Sequence, residues 1–324
     1  MKFVKSKLRR IVAAGTAVAV LFITACSSKD SNNATHHDAA TVNLEATVIT
    51  LTSPGAHPQS ILKYNLHDSV QRGVMDITQG FSQDTTTSNT DLRLDSTTMS
   101  LPYTAHGDTI TVGKPTGSNA TLNSDIATAE GFRLKTNKSA TGVTSQATFT
   151  APTQASPTAR ASVERALTQY LSTPVVFPTD PIGVGAQWDV RVKVNDPSPA
   201  VKTITYTLKK HEGTSVVLDA TIHQRSSTRS LSLSEAPNAP LNAKGSLDIK
   251  DSTTTTDAGT LHINLSTPLP VAGTLDSTTT TTYAANTKES SDRPPSINPA
   301  APGHGPISDE VPIVQKNKRA ITWK

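Results

Sequence analysis

The residue with the clearest chemistry is Cys26, the only cysteine in a chain of 324 residues. It follows residues 11–25, which carry no charged side chain, and five basic residues lie within the ten positions before that run. A basic segment followed by an apolar one is typical of a secretory signal, because the basic residues stay on the cytoplasmic side. The uncharged run is shorter than the roughly 20 residues that a membrane-spanning helix needs. We therefore expect the rest of the chain to be exported.

The four residues Ile23, Thr24, Ala25 and Cys26 resemble the lipobox of bacterial lipoproteins, in which branched aliphatic and small residues precede the cysteine. The resemblance implies cleavage between Ala25 and Cys26. It also implies a diacylglycerol thioether on Cys26 with palmitate-type acyl chains. Two acyl chains give stable anchoring where one is marginal. The expected location is the extracytoplasmic face of the cell membrane, with the membrane itself as a partner.

Catalytic motifs elsewhere in the chain are incomplete. His211 and Glu212 are followed by Ser215 where the second histidine of a zinc protease motif would stand. Ser60 and Lys63 have the S-x-x-K spacing of penicillin-recognising enzymes, but that motif begins a helix and this segment has the pattern of a strand. We predict no catalytic, cofactor-binding or metal-binding residue and expect the protein not to be an enzyme.

The charge of the whole chain is dominated by its amino terminus. The chain has 30 Lys and Arg against 26 Asp and Glu, and residues 1–25 hold five of the basic residues and none of the acidic ones. Removal of that segment leaves 25 against 26, a net charge of −1. Binding to nucleic acid requires a basic surface on the folded domain. The mature chain has no such excess, so we expect no nucleic-acid partner.

Two segments have the composition of chain outside a packed core. Residues 26–41 are polar without periodicity and predict a flexible tether that begins at the lipidated Cys26. His36, His37 and Asp38 lie in it, and without a third ligand at a fixed spacing they indicate a solvated turn rather than a metal site. Residues 286–324 are rich in proline and predict a disordered tail. Ile313, Ile321 and Trp323 leave open a docking strand or a contact with a partner.

Between these segments, residues 42–285 predict one β-rich envelope domain. Apolar and polar residues alternate along many short segments, such as the one that contains Trp188, Val190, Val192 and Val194. Alternation with a period of two indicates half-buried strands of an antiparallel sheet. Asp257, Ala258 and Gly259 predict a turn between two of these strands.

One helix interrupts the strands, near residues 157–172. Ser156 and Pro157 have the preferences of an N-cap and a first helical position. An apolar stripe follows at helical spacing. Its members are Val163, Ala166, Leu167, Tyr170 and Leu171. The predicted fold is mainly β, a curved antiparallel sheet or half-barrel covered by this single amphipathic helix.

The helix is followed by a proline-rich connection that ends in Val184, Gly185, Ala186, Gln187 and Trp188. This segment resembles a P-x-x-P-V-x-V-G-x-x-W motif of uncharacterised bacterial envelope lipoproteins, with Ile182 where valine is usual. The resemblance implies a shared architecture and no catalytic residue. We expect Gly183 and Gly185 to form a tight turn and Trp188 to fill the core.

These features favour a non-enzymatic binding domain for a lipid, another amphiphile or an envelope protein. The alternative is a structural or adhesive envelope protein that contacts the cell wall. Two threonine-rich segments, residues 253–256 and 278–282, would then be glycosylated.

Overall fold

The computed structural model describes residues 39–66, 69–84, 95–195, 199–232, 246–285 and 313–324. These residues form fifteen β-strands, two α-helices and two short 3-10 turns. The strands in the first half of the chain are β1 (Ala39–Asn43), β2 (Val48–Ser53), β3 (Val70–Asp84), β4 (Asp95–His106), β5 (Thr109–Val112), β6 (Thr116–Gly117), β7 (Arg133–Lys138) and β8 (Thr144–Thr150). Those in the second half are β9 (Gln187–Asn195), β10 (Pro199–Glu212), β11 (Ser215–Ser226), β12 (Ser230–Ser232), β13 (Ser246–Asn264), β14 (Ala272–Ala285) and β15 (Ile313–Trp323). The helices are α1 (Asn123–Ile126) and α2 (Pro157–Leu171).

All the strands belong to one antiparallel sheet, which confirms the prediction of a mainly β, antiparallel fold. Thirteen strands follow one another in the order β1-β8-β7-β5-β4-β3-β15-β14-β13-β11-β10-β9-β2. The short strands β6 and β12 pair beside this path, with β4 and β13 respectively. The sheet is not closed, because β1 and β2 stand at its two ends.

The two ends of the sheet are held together by the chain itself. β1 and β2 are consecutive in sequence, and only residues 44–47 connect them. That connection spans at most about 18 Å. Thirteen strands spaced about 4.8 Å apart would place the two edges roughly 58 Å apart in a flat sheet. A flat arrangement of all thirteen strands is therefore incompatible with this connection.

The core lies on one face of the sheet, which we call the inner face. It extends along the strand order from β2 to β8. Its largest fully buried side chains include Trp188, Tyr206, Phe132, Phe177 and Leu62. Because alternate residues of a strand point to the same face, paired residues such as Ile77 of β3 and Ile321 of β15 extend this apolar layer from strand to strand.

Helix α2 lies against the inner face of the sheet. Its N-cap is Ser156, whose hydroxyl oxygen accepts a hydrogen bond from the amide of Ala159 at 3.0 Å, and Pro157 is its first residue. Val163 and Leu167 are fully buried. The buried side chain of Gln169 donates to the carbonyl of Ala320, on β15, at 3.1 Å. Through Gln169, the end of α2 is therefore hydrogen-bonded to β15, the central strand of the sheet.

The prediction of a disordered tail over residues 286–324 is wrong for its last part. Ile313–Trp323 form β15, which pairs with β14 on one side and with β3 on the other. Trp323 and Ile321 are almost fully buried. This strand has a paired neighbour on each side, which its alternating apolar residues favour. The proline-rich composition that suggested disorder lies upstream of the strand and does not prevent this pairing. The remainder of the predicted tail, residues 286–312, lies outside the described residues.

One predicted boundary and one predicted turn also need correction. Residues 39–41, assigned to the flexible tether, belong to β1, because pairing with β8 begins at Ala39. The turn expected at Asp257, Ala258 and Gly259 is a β-bulge inside the continuous strand β13. At Gly259 the strand lies so close to β11 that a Cβ would overlap the carbonyl oxygen of Ala220. Glycine is needed there for close strand packing rather than for reversal of the chain.

Candidate functional site

The glycine motif forms a tight turn before β9, as the sequence indicates. A Cβ on Gly183 would overlap the carbonyl oxygen of Ala56. The amide of Gly183 donates to the carbonyl of Pro54 at 2.9 Å. Gly185 has φ +85°, a backbone conformation that L side chains rarely adopt. Its amide donates to the carbonyl of Leu208 at 2.7 Å. The motif thus attaches the proline-rich connection to both β10 and the segment after β2.

Trp188 stands in a row of four aromatic side chains in the core. The ring centroids of Tyr64 and Phe177 are 5.4 Å apart, those of Phe177 and Trp188 6.1 Å, and those of Trp188 and Tyr206 5.7 Å. All four rings are buried. Tilted aromatic pairs at these distances are favourable beyond their buried area.

Three of these aromatic side chains also satisfy the backbone of the connection after α2. Residues 174–176 pair with no strand, so their carbonyls need other donors. The donors are the hydroxyl of Tyr206 for Pro174, the hydroxyl of Tyr64 for Val175 and Nε1 of Trp188 for Val176, at 3.0, 3.4 and 2.7 Å. Burial is the main reason that the pKa of both tyrosine hydroxyls is raised. The hydroxyls therefore stay protonated and act as donors. Trp188 therefore positions the chain as well as filling the core.

Lys138 is a half-buried cation next to this row. Its Nζ lies 4.6 Å from the ring centroid of Tyr64 and donates to the carbonyl of Pro268 at 2.8 Å. An ammonium over an aromatic face is stabilised by the ring quadrupole. Burial lowers the pKa of Lys138 to about 8. The side chain connects β7 to the loop between β13 and β14.

Near the carboxyl end of helix α2, the inner face of the sheet carries several polar residues. Arg319 and Gln79 are paired across β15 and β3, two residues along from the buried pair Ile321 and Ile77, and so share their face. Lys202 likewise shares the face of Tyr206 on β10. We call this region the polar belt, and it comprises Lys202, Gln224, Thr254, Thr279, Asn317, Arg319 and Gln79.

The polar belt is joined by side-chain hydrogen bonds. The hydroxyls of Thr254 and Thr279 lie 3.1 Å apart, and Gln79 Nε2 donates to Gln169 Oε1 at 3.0 Å. The hydroxyl of Thr254 also accepts from the amide of Gln224 at 3.1 Å. Apart from Lys202, which is buried, the belt residues are half-buried. They form a hydrogen-bonded polar surface on the same face of the sheet as the core.

Two cations of the polar belt lie near the carboxyl end of α2. Lys202 Nζ donates to the hydroxyl of Ser172, the C-cap residue, at 3.1 Å. Arg319 pairs across the sheet with Gln79, which contacts Gln169 of the last helical turn. In the described residues, the inner faces of the six strands that form the belt carry no Asp or Glu. The described part of the belt therefore contains two cationic residues.

The structure brings together only part of what the sequence singled out. Ala25 and Cys26, and with them His36, His37 and Asp38, lie outside the described residues. Ser60 is exposed and its backbone forms an isolated bridge with Ile182, so it does not begin a helix.

Lys202 and Arg319 were not singled out by the sequence. Each is a single basic residue in an alternating segment, so neither stands out in the sequence. Only the strand register places the two on the same face of the sheet. Among the described residues, no group of three or more His, Cys, Asp or Glu side chains is arranged to hold a metal ion.

The comparisons with known proteins return no match among protein-family models, curated proteins or solved structures. The resemblance of the glycine–tryptophan motif to envelope lipoproteins therefore stays a prediction. In the part of the chain that the structure describes, no helix is both long enough and apolar enough to cross a membrane.

Proposed function

We propose that this chain is a lipid-anchored extracytoplasmic protein whose folded part is a non-enzymatic binding domain. The observation that carries the proposal is the order Ile23, Thr24, Ala25, Cys26 after a basic and then uncharged amino terminus. The first described strand begins at Ala39, so residues 27–38 separate the proposed anchor from the sheet. The resemblance to uncharacterised envelope lipoproteins agrees with this location.

The binding domain is an open half-barrel covered by one amphipathic helix. Two features support this proposal. The edge strands β1 and β2 are joined by four residues, which forces strong curvature. The last turn of α2 reaches β15 through Gln169 and β10 through Ser172, although these strands are not neighbours in the sheet.

The ligand is an amphiphile or an envelope protein partner. The apolar part of the inner face is filled by the protein's own side chains, among them Trp188, Phe177 and Leu167. A ligand would therefore meet the concave side at its polar end. To bind an amphiphile through its apolar layer, the protein would have to displace core residues. Binding at the polar belt requires no such displacement.

The anchor is tested by the substitution Cys26→Ala in the full chain. We expect the altered protein to leave the membrane fraction or to remain uncut, while Ser27→Ala is processed like the wild type. Membrane fractionation and the intact mass of the product measure both. Normal cleavage and membrane retention of Cys26→Ala would show that the lipoprotein proposal is wrong.

The ligand class is tested by native mass spectrometry of the full chain extracted from its own membranes in mild detergent. A noncovalent adduct of lipid mass, additional to the covalent anchor, supports an amphiphile. Reproducible absence of such an adduct eliminates the amphiphile and leaves the protein partner, which crosslinking in intact cells would detect.

A structural or adhesive role is the second candidate, because the outer face carries exposed threonines. Thr253 and Thr255 are exposed on β13 and Thr278 lies opposite Thr255 on β14. Glycosylation there would extend from the surface without disturbing the core. An intact mass equal to polypeptide plus lipid would remove the glycosylated form of this role.

A further inference from the structure

The loop between β13 and β14 covers one end of the core. Backbone pairing ends at Asn264 on β13 and resumes at Ala272 on β14, so residues 265–271 lie outside the strand ladder. We call these residues the strap. The side chains of Leu265 and Leu269 are buried and belong to the hydrophobic core. The strap is therefore a part of the core that can be displaced without breaking a strand pair.

The tip of the strap, residues 268–270, has few backbone groups that can bind a strand. Pro268 and Pro270 have no amide hydrogen, because proline lacks a backbone N–H. Within the described residues, no hydrogen bond between two backbone groups involves the tip. All three tip residues are buried, and buried backbone groups need partners. Side chains must therefore supply them.

Two side chains from distant strands hold the tip. Gln71 of β3 accepts from the amide of Leu269 at 3.1 Å, and its Nε2 lies 3.2 Å from the carbonyl oxygens of both Leu269 and Pro270. Lys138 of β7 donates to the carbonyl of Pro268 at 2.8 Å. In the strand order, β3 and β7 are two and five places from β14. Few contacts must therefore break for the tip to leave, which is typical of segments that open locally.

The surroundings of Lys138 disfavour its charged form. Its Nζ lies 4.6 Å from the ring centroid of Tyr64, and burial lowers the pKa of Lys138 to about 8. The strap, β8 and the turn between β7 and β8 carry no titratable side chain. On the other elements packed around Lys138, the remaining titratable side chains are exposed, namely Lys63, Arg133 and Lys135. Return of Lys138 to water would favour its ammonium form.

We propose that the strap releases from the sheet as a unit and that Lys138 couples this release to the uptake of a proton. The closed strap favours the neutral amine, because a charged Lys138 loses water when the strap closes. Between about pH 8 and the ordinary lysine value of 10.5, the released form binds more protons than the closed form. The strap therefore holds more firmly as the pH rises from about 8 toward 10, and below pH 8 the effect is constant.

Release uncovers Leu265 and Leu269 and the end of the core beneath them. It would give an apolar group access to the core without displacement of a strand. The inference goes beyond the binding role and the anchor and rests on neither, because its test needs no ligand. Failure of the Cys26→Ala test would leave it untouched.

The test is NMR of the full chain, labelled with ¹³C-lysine and ¹⁵N, in neutral detergent. Gln71→Ala removes the acceptor of the Leu269 amide, and Gln83→Ala is the matched control because Gln83 is exposed on the same strand. At pH 7, we expect Gln71→Ala to speed exchange of the Leu269 amide about tenfold, the effect of one hydrogen bond. The Gly185 amide, bonded to another part of the sheet, should keep its rate. Lys138, assigned by the loss of its signal in Lys138→Met, should titrate at higher pH in Gln71→Ala than in the wild type.

Unchanged exchange of the Leu269 amide in Gln71→Ala overturns the proposal, since the strap would then not open by itself. Faster exchange with an unchanged titration of Lys138 also overturns it, since release would then take up no proton. Equal acceleration at Gly185, or the same titration shift in Gln83→Ala, overturns it as well, because the change would not be specific to the strap. If Gln71→Ala fails to fold, Leu269→Ala removes the apolar contact of the tip, and the same two measurements decide.

Discussion

Single residues in this protein often perform a packing role and a hydrogen-bonding role at once. Trp188 fills the core between Phe177 and Tyr206 and also donates to the carbonyl of Val176. An apolar residue of similar size would keep the first role and lose the second. The two roles are separable by substitution.

Trp188→Phe should lower the free energy of unfolding by about 1–3 kcal/mol, because the buried carbonyl of Val176 loses its donor. Trp188→Ala should cost more, about 3–5 kcal/mol, because it also leaves a cavity. Urea unfolding followed by circular dichroism measures both. Equal stabilities of the wild type and Trp188→Phe would show that the hydrogen bond contributes nothing.

The two glycines of the turn differ in the reason that glycine is needed. Gly185→Ala has open space around the new Cβ and should cost about 1 kcal/mol, from the positive φ alone. Gly183→Ala places a Cβ against the backbone of Ala56 and should cost clearly more, because the two segments must move apart. Thermal unfolding of the two variants compares them. The reverse order would contradict the assignment of close approach to Gly183.

Lys138 makes stability depend on pH. Its pKa is about 8 in the folded protein, against an ordinary 10.5. Between these values the unfolded chain binds more protons than the folded chain, so stability should rise as pH increases from about 8 toward 10. Lys138→Met should flatten that rise, whereas Lys135→Met, exposed on the same strand, should leave it unchanged. Urea unfolding at a series of pH values measures the slope, and an unchanged slope in Lys138→Met would contradict the assignment.

At the scale of elements, β11 and β13 show how side chains replace a strand ladder. Their backbone pairing extends from Ser215 to Asp219 on β11. Beyond it, the hydroxyl of Thr256 accepts from the amide of Ile222 at 2.7 Å, and Thr254 does the same for Gln224. The threonine-rich segment of β13 therefore alternates between hydroxyls that join two strands and hydroxyls that face solvent.

Thr256→Val should lower the free energy of unfolding by about 1–3 kcal/mol, because the amide of Ile222 loses its acceptor. The matched control is Thr255→Val, which is exposed and should change stability by no more than about 0.5 kcal/mol. Chemical denaturation of the two variants gives the difference. Equal effects would mean that the hydroxyl bridge is not needed to hold the strands together.

Elements were predictable where the signal is local. Ser156 and Pro157 indicate a helix start because capping acts within one turn, and α2 begins there. The predicted turn at Asp257 to Gly259 was wrong because the same residue types serve a bulge, and only the closeness of Ala220 distinguishes the two. Alternation marks strands but does not say which strand lies beside which.

At the scale of the whole molecule, the last strand joins two halves of the sheet. β15 pairs with β14 along residues 313–323 and with β3 along residues 314–323. One half contains β1 and β3 to β8, and the other contains β2 and β9 to β14. Without β15, the two halves would each expose a long unpaired edge, which is a site for pairing with another chain.

Deletion of residues 313–324 should therefore abolish the cooperative unfolding transition of the full chain. A synthetic peptide of these residues, added in excess, should restore it by pairing with both edges. A peptide of the same composition in scrambled order is the control. Calorimetry measures the transition, and a truncated chain with an unchanged melting temperature would show that the strand is dispensable.

Local features of this protein can be read from its sequence. Alternation set which side of each strand is apolar, the residues at 156 and 157 set the start of α2, and the lipobox resemblance sets the proposed anchor. These follow from interactions between residues close in the chain. The polar belt, the carbonyls held by Trp188 and the insertion of β15 depend on residues far apart in sequence, such as Met75 and Trp323. These features arise from the tertiary fold, because strand register and the path of the chain bring such residues together and no local preference encodes either.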